Sequence, residues 1–164
     1  MYEKITRPNR KISIVATKVW RLSNLIGHVT TLLILSILLY LDYHFSWVNW
    51  VGIILMLLTG LIGLSAIWSI VFEPILLQRS WRYDVDEAFV KLKHGSWTEE
   101  HVLIPMEKVQ YVSTSEGPLL RKYGLISLEI GTMASTHAIP MIPRAEALEL
   151  RDRIAHFAKI KEVD

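Results

Sequence analysis

Four residues close together in the chain, His94, Glu99, Glu100 and His101, are of the types that hold a divalent cation. Such a site needs the two imidazoles to face one another across a hairpin turning at His94-Gly95. The spacing does not establish that register, and a solvated polar strand accounts for the same residues, so no metal ligand is assigned. A second candidate is His28, an ionisable group inside an apolar stretch, where such groups are costly and usually used. As a candidate intramembrane polar site it could relay a proton or hold a ligand. No carboxylate or second histidine lies at its depth to take the proton onward. The simpler reading is a neutral imidazole about two turns into a helix, hydrogen-bonded to a neighbouring helix or to interfacial water.

Beyond these, the chain lacks the patterns on which catalysis usually rests. There is no Gly-x-Ser-x-Gly elbow, no His-Glu-x-x-His, no phosphate loop and no dinucleotide fingerprint. With no cysteine, thiol chemistry and a disulfide scaffold are both excluded. No catalytic residue and no cofactor is assigned, and the chain is expected not to be an enzyme.

The elements that must carry these residues are of two kinds. The 164 residues are 51% hydrophobic and only 21% charged, with a mean hydropathy of +0.30, too apolar for an ordinary soluble domain. Twenty residues between Arg21 and Asp42, and twenty-eight between His44 and Glu73, contain no Lys, Arg, Asp or Glu. At about 1.5 Å per residue each can cross a bilayer. The expected organisation is a basic N-terminus over 1–21, transmembrane helices over 22–41 and 47–73, a short external turn over 42–46, and a domain over 79–164. Pro74 is expected to end or kink the second helix, and residues 74–80 to form a short linker.

Six Lys and Arg precede the first span, Arg79 and Arg82 follow the second, and the turn has none, so both termini are expected in the cytoplasm. Tyr40, Tyr43, Trp47 and Trp50 would mark the outer interface, and Trp20, Trp68 and Trp81 the inner one. A retained anchor is expected rather than a cleaved signal peptide. The basic N-terminus is therefore a topology signal and not a nucleic-acid footprint, since residues 79–164 carry twelve Lys and Arg against thirteen Asp and Glu. Along the second helix Thr59 with Gly63 and Ser65 with Ser69 place small residues four apart, which permits close helix approach.

From Trp81 the texture changes to short alternating runs. Strands are expected over 81–86, 88–93, 97–104, 109–113, 125–131 and 137–142, with turn residues at Asp86-Glu87, His94-Gly95, Pro105, Glu116-Gly117-Pro118 and Tyr123-Gly124. Alternation is clearest where Ile126, Leu128 and Ile130 interleave with Ser127 and Glu129, the pattern of an antiparallel sheet with one wet face. Pro143 then opens a helical pattern with Ala147, Leu150, Ile154 and Phe157 on one side.

The segment from His94-Gly95 through Ile104-Pro105 and Val109-Gln110, the phrase Gly117-Pro118-Leu119 with Arg121, Gly124-Leu125, Leu128, Ile130 and Thr132, and Ile139-Pro140 before Ala145-Glu146-Ala147 and Leu150-Arg151 resemble the bacterial pleckstrin-homology-like (PH-like) domains of the YdbS family. The resemblance runs over the whole chain. It implies an α+β membrane protein in which a two-helix transmembrane hairpin precedes a bent, seven-stranded antiparallel β-barrel capped by a C-terminal helix, in the inner membrane of a bacterium. It implies no catalytic activity. It further implies a partner, either further copies of the chain or a larger multi-span membrane protein with PH-like domains, and a role in envelope function or defence against membrane-active peptides.

Eukaryotic PH domains that bind phosphoinositides use Lys and Arg between their first strands. Here Lys91 and Lys93 are answered by Glu99 and Glu100. The remaining candidate for contact with a partner or with anionic membrane lipids is Leu119, Leu120, Arg121 and Lys122, two apolar residues followed by two cations. A membrane-tethered domain without a catalytic set is read first as a protein-assembly module, and second as a binder of lipid headgroups.

Overall fold

The computed structural model describes residues 8–95 and 98–159; Lys4 and Arg7, two of the six basic residues counted before the first span, and Trp97, the first residue of the strand expected over 97–104, lie outside the described residues. The chain divides into two compact units, residues 17–75 and the remainder.

The first unit is a helical hairpin. Helix α1 runs over Ala16–Phe45, through most of the residues expected in the turn, and α2 over Asn49–Ile67. Both are long and apolar enough to cross a membrane. Their apolar side chains are mostly exposed: Leu25, Ile26, Val29, Leu33, Leu57, Leu61 and Leu64 are all at least 46% accessible, whereas the core helix of a soluble protein would bury such residues. The helices run antiparallel, since Asn24 reaches Ser69, His28 reaches Ser65, and Asp42 lies against Gly52. A side chain on Gly52 would fall on the Asp42 carboxylate and would have to displace it.

Pro74 neither ends the second helix nor opens a linker. After α2 the backbone makes one π-helical turn, Trp68–Phe72, and continues as α3, Glu73–Ser80. In that turn the Glu73 N–H bonds the Trp68 carbonyl five residues back. The next step would take residue 74 to the Ser69 carbonyl, but proline has no N–H to give. The Asn24 side chain donates to that carbonyl instead, at 2.7 Å. An inter-helix hydrogen bond thus replaces the missing intrahelical one, and the helix passes through the proline.

The second unit is built on two three-stranded antiparallel sheets. One has the order β1 (Arg82–Val85), β2 (Phe89–His94), β3 (Glu100–Pro105); the other β4 (Val109–Ser115), β5 (Leu125–Thr132), β6 (Thr136–Pro143). A short helix α4, Pro118–Lys122, joins β4 to β5, and α5, Arg144–Phe157, follows β6. Alternation along β5 buries Leu128 and Ile130, and α5 covers its sheet with Ala147, Leu150 and Ile154, all at most 2% exposed.

The expected closed barrel of seven strands is not what forms. Six strands lie in two separate sheets, because Pro105 ends β3 and the 3₁₀ turn Met106–Lys108 redirects the chain, with the Met106 N–H bonded to the Ala88 carbonyl, so that β3 and β4 do not pair. On the opposite side the gap is bridged by the segment before the hairpin. Arg10 exchanges backbone hydrogen bonds with Tyr83 of β1 (3.1 and 2.9 Å), and the Ser13 N–H reaches the Met141 carbonyl of β6 (3.3 Å). Ile12, between them, is 2% exposed. Residues read as a simple basic N-terminus are therefore part of the folded domain.

Candidate functional site

The His/Glu set of the β2–β3 hairpin is divided by the register. Lys93 lies opposite His101, and His94 opposite Glu100. Cross-strand partners share a face and successive residues alternate, so the two histidines point to opposite faces. On one face Glu99 takes Lys93 at 2.8 Å and His101 at 3.6 Å, and the Lys93 ammonium holds the Glu99 carboxyl below its usual range. On the other His94 stacks on Trp81 at 4.6 Å, with Glu100 3.8 Å away. Among the described residues no group of three or more metal-ligating side chains converges.

Within the hairpin, His28 Nδ1 lies 2.9 Å from the Asn24 carbonyl, one helical turn back. A carbonyl only accepts, so Nδ1 is the donor in this contact. Nε2 lies 3.4 Å from Ser65 Oγ and 3.5 Å from Ser69 Oγ. Asn24, His28, Ser65 and Ser69 thus form a polar cluster beside the π-helical turn, bordering a notch of about 320 Å³ lined also by Ser23, Gly27 and Thr31. His28 was legible in the sequence. Asn24 was not singled out, although an amide side chain in an apolar run next to a Pro-containing partner helix is the signal that would have found it.

The residues from 119 to 122 sit on α4, which starts at Gly117 and is closed by Tyr123. Leu119 and Leu120 are half-buried rather than presented, while Arg121 and Lys122 are exposed. Glu116 stands between two guanidinium groups, 3.6 Å from Arg121 and 3.3 Å from Arg144. The rim therefore carries three cations and one carboxylate.

Two polar clusters organise the rest of the domain. Lys91 is 7% exposed and pairs with Asp86 at 2.7 Å. Burial alone would raise the Asp86 carboxyl, but hydrogen bonds from Lys91 and from the Phe89 and Ala88 N–H groups outweigh it and hold it below its ordinary value. Tyr83 is fully buried and donates to Glu146 at 2.7 Å, with Arg10 3.5 Å from the same carboxylate oxygen. Burial, then the hydrogen bond to Glu146, pushes the Tyr83 hydroxyl up. The N-terminal segment, β1 and α5 are joined through this one carboxylate. These are fastening groups, paired internally.

A profile of the bacterial PH domain matches residues 14–158. The chain belongs to the bacterial PH domain family. It is 35% identical over 162 residues to the UPF0699 transmembrane protein YdbS of Bacillus subtilis (strain 168), which covers 96% of this chain and 98% of that one. No solved structure matches. The similarity extends through the hairpin as well as the domain, so this bacterial PH protein is YdbS-like over its length. Together with the two lipid-length apolar helices, this makes it a membrane protein. The PH-like domain is the two-sheet, one-helix unit described above.

Proposed function

We propose that this protein is a non-enzymatic, membrane-anchored interaction module, a multi-pass subunit of a larger membrane complex with both termini in the cytoplasm. The observation that carries the reading is the state of the domain's charges. Lys91 is taken by Asp86, Lys93 by Glu99, Arg10 by Glu146, and Arg121 and Arg144 share Glu116, so these five cations are each engaged by a carboxylate. The β1–β2 turn, where the phosphoinositide-binding PH domains concentrate Lys and Arg, is Asp86, Glu87 and Ala88. That leaves protein contact as the use best supported for a domain tethered at the membrane. Resemblance to the YdbS family adds the physiological setting of envelope function or defence against membrane-active peptides.

The pairing of Arg10 with Tyr83 supports the topology. The segments that enter and leave the hairpin meet in one folded domain, which supports placing both ends of the hairpin on the same side of the bilayer. The excess of basic residues at those ends favours the cytoplasmic side.

A second reading is favoured by the α4 rim, where Arg121, Lys122 and Arg144 outnumber Glu116. Each cation near an anionic leaflet is worth about 1 kcal/mol, enough to orient a tethered domain. The two readings separate on affinity purification of a tagged chain from its native membrane in mild detergent. A membrane protein or further copies recovered in stoichiometric amount support the interaction module. Recovery of the chain alone with enriched anionic lipid supports headgroup binding and overturns the first reading.

A further inference from the structure

The notch of about 320 Å³ beside His28 places polar groups on an apolar helix pair, where an unmatched polar group is costly. Their remaining hydrogen-bonding capacity therefore decides what can fill it. No Lys, Arg, Asp or Glu lines the notch, so a charged occupant would bring an uncompensated charge into the apolar layer. The donors are largely spent on the backbone. The Thr31 hydroxyl donates to the Gly27 carbonyl at 2.9 Å, the Ser65 hydroxyl to the Ile62 carbonyl at 2.9 Å, and the Asn24 amide to the Ser69 carbonyl at 2.7 Å. A hydroxyl has one proton, so Thr31 and Ser65 have only lone pairs left to offer. His28 donates through Nδ1 to the Asn24 carbonyl. With no carboxylate in the lining to balance an imidazolium, the uncharged ring presents Nε2 as an acceptor. Ser65 Oγ and Ser69 Oγ stand at 3.4 and 3.5 Å from that nitrogen, at the outer limit of hydrogen bonding. The notch is thus uncharged and weighted toward acceptors, and Ser69 places it against the π-helical turn, a backbone irregularity frequent at functional sites.

We infer that this notch binds the hydroxyl head of an uncharged lipid alcohol, its proton on His28 Nε2 and its tail along the exposed side of α1. Ser23, Gly27 and Thr31 are exposed, and a Cβ on Gly27 would meet nothing within 4 Å, so the notch is open to an occupant arriving from the side. His28 stands seven residues beyond Arg21, the last cation before the apolar run, roughly 10 Å along the axis. With the span placed as proposed, that is beneath the charged headgroups, at a depth open to a lipid whose head carries no charge. A volume of about 320 Å³ is at the small end of ligand cavities, with room for a hydroxyl and the carbons that bear it. A phosphate, being anionic and an acceptor, matches neither the charge nor the hydrogen bonding of the lining. The chemistry selected is one donor on an apolar chain, which a polyprenol and a diacylglycerol both supply. The inference is independent of what the PH-like domain contacts.

The test uses the full chain in phosphatidylcholine nanodiscs, irradiated with a fatty alcohol that carries a diazirine near its hydroxyl, with the adducts mapped to peptides by mass spectrometry. Labelling is expected to concentrate on residues 23–31 and 62–69 and to be displaced by unlabelled alcohol. Separate competition with a polyprenol and with a diacylglycerol distinguishes the two sources. A polyprenyl phosphate of the same chain length should compete several-fold less than the polyprenol. His28→Leu removes the acceptor, and Gly27→Leu fills the mouth without altering a polar group. Each should lower the labelling several-fold, whereas Ser36→Leu, further along the same helix, should leave it unchanged. Gly27→Leu enters open space and should keep the thermal midpoint of the parent, so its loss of labelling reports the notch and not unfolding. Labelling spread evenly along the hairpin, labelling insensitive to both variants, or equal competition by the phosphate would overturn the inference.

Discussion

At the scale of single residues the domain depends on carboxylates that each hold more than one element. Asp86 closes the β1–β2 turn through two backbone N–H groups and neutralises Lys91, which is almost fully buried. Asp86→Asn should cost about 2 kcal/mol, less than breaking a fully buried pair because the Asp86 side chain is 42% exposed. Lys91→Met, which removes the buried charge and keeps the stem, should be close to neutral. The sign of the pH effect follows from the lowered Asp86 carboxyl. The native state favours its ionised form, so the stabilisation is complete above the ordinary carboxylate range and is lost as pH falls through that range and below it. Thermal unfolding of the full protein between neutral and acid pH should show a decline that Asp86→Asn makes shallower. An unchanged acid limb in that variant would rule this group out as its source. His94 and His101 show the limit of reading residues without register. Their types suit a metal, and the strand pairing that sends them to opposite faces is set by the whole hairpin.

At the scale of elements, what was legible were the features written in periodicity. The two long apolar helices, the six strands and the final helix all follow from runs whose apolar spacing is continuous, alternating or helical. What was not legible were contacts between segments distant in sequence. Nothing local in Arg10 to Ser13 marks it as the segment that bridges β1 and β6, because one backbone bridge and one buried side chain, Ile12, leave no periodic trace. Pro74 is the opposite case, a strong local signal overridden from outside. Its missing N–H marks an end or a kink of the helix, and the Asn24 amide fills the vacancy at Ser69 so that the helix continues. Asn24→Ala should therefore weaken the hairpin by about 1 kcal/mol, the usual size of an inter-helix hydrogen bond in lipid. In a Pro74→Ala background, where residue 74 supplies its own N–H, the same substitution should cost clearly less. Unfolding of the four variants in lipid nanodiscs forms a double-mutant cycle, and strict additivity would contradict the coupling.

At the scale of the whole molecule, a hairpin inserted between two paired segments of one domain makes a simple device. On the proposed topology the domain is tethered at two points in the chain, residues 16 and 80, on one side of the membrane. A cysteine at Ser46, in the turn between the helices, should react with an impermeant thiol reagent added outside intact cells, while one at Ser115 should react only after permeabilisation. The reverse pattern would invert the orientation. Such tethering raises the concentration of the domain at the membrane whatever its intrinsic affinity, so weak lateral contacts suffice for assembly and tight headgroup binding is not needed. The central claim, that this YdbS-like protein works through protein contacts at the membrane, is tested most directly by the mass of the intact particle released from native membranes with its bound lipids. The account predicts a defined multiple of the chain, or the chain with a stoichiometric membrane partner. A particle containing one copy and enriched anionic lipid would contradict it.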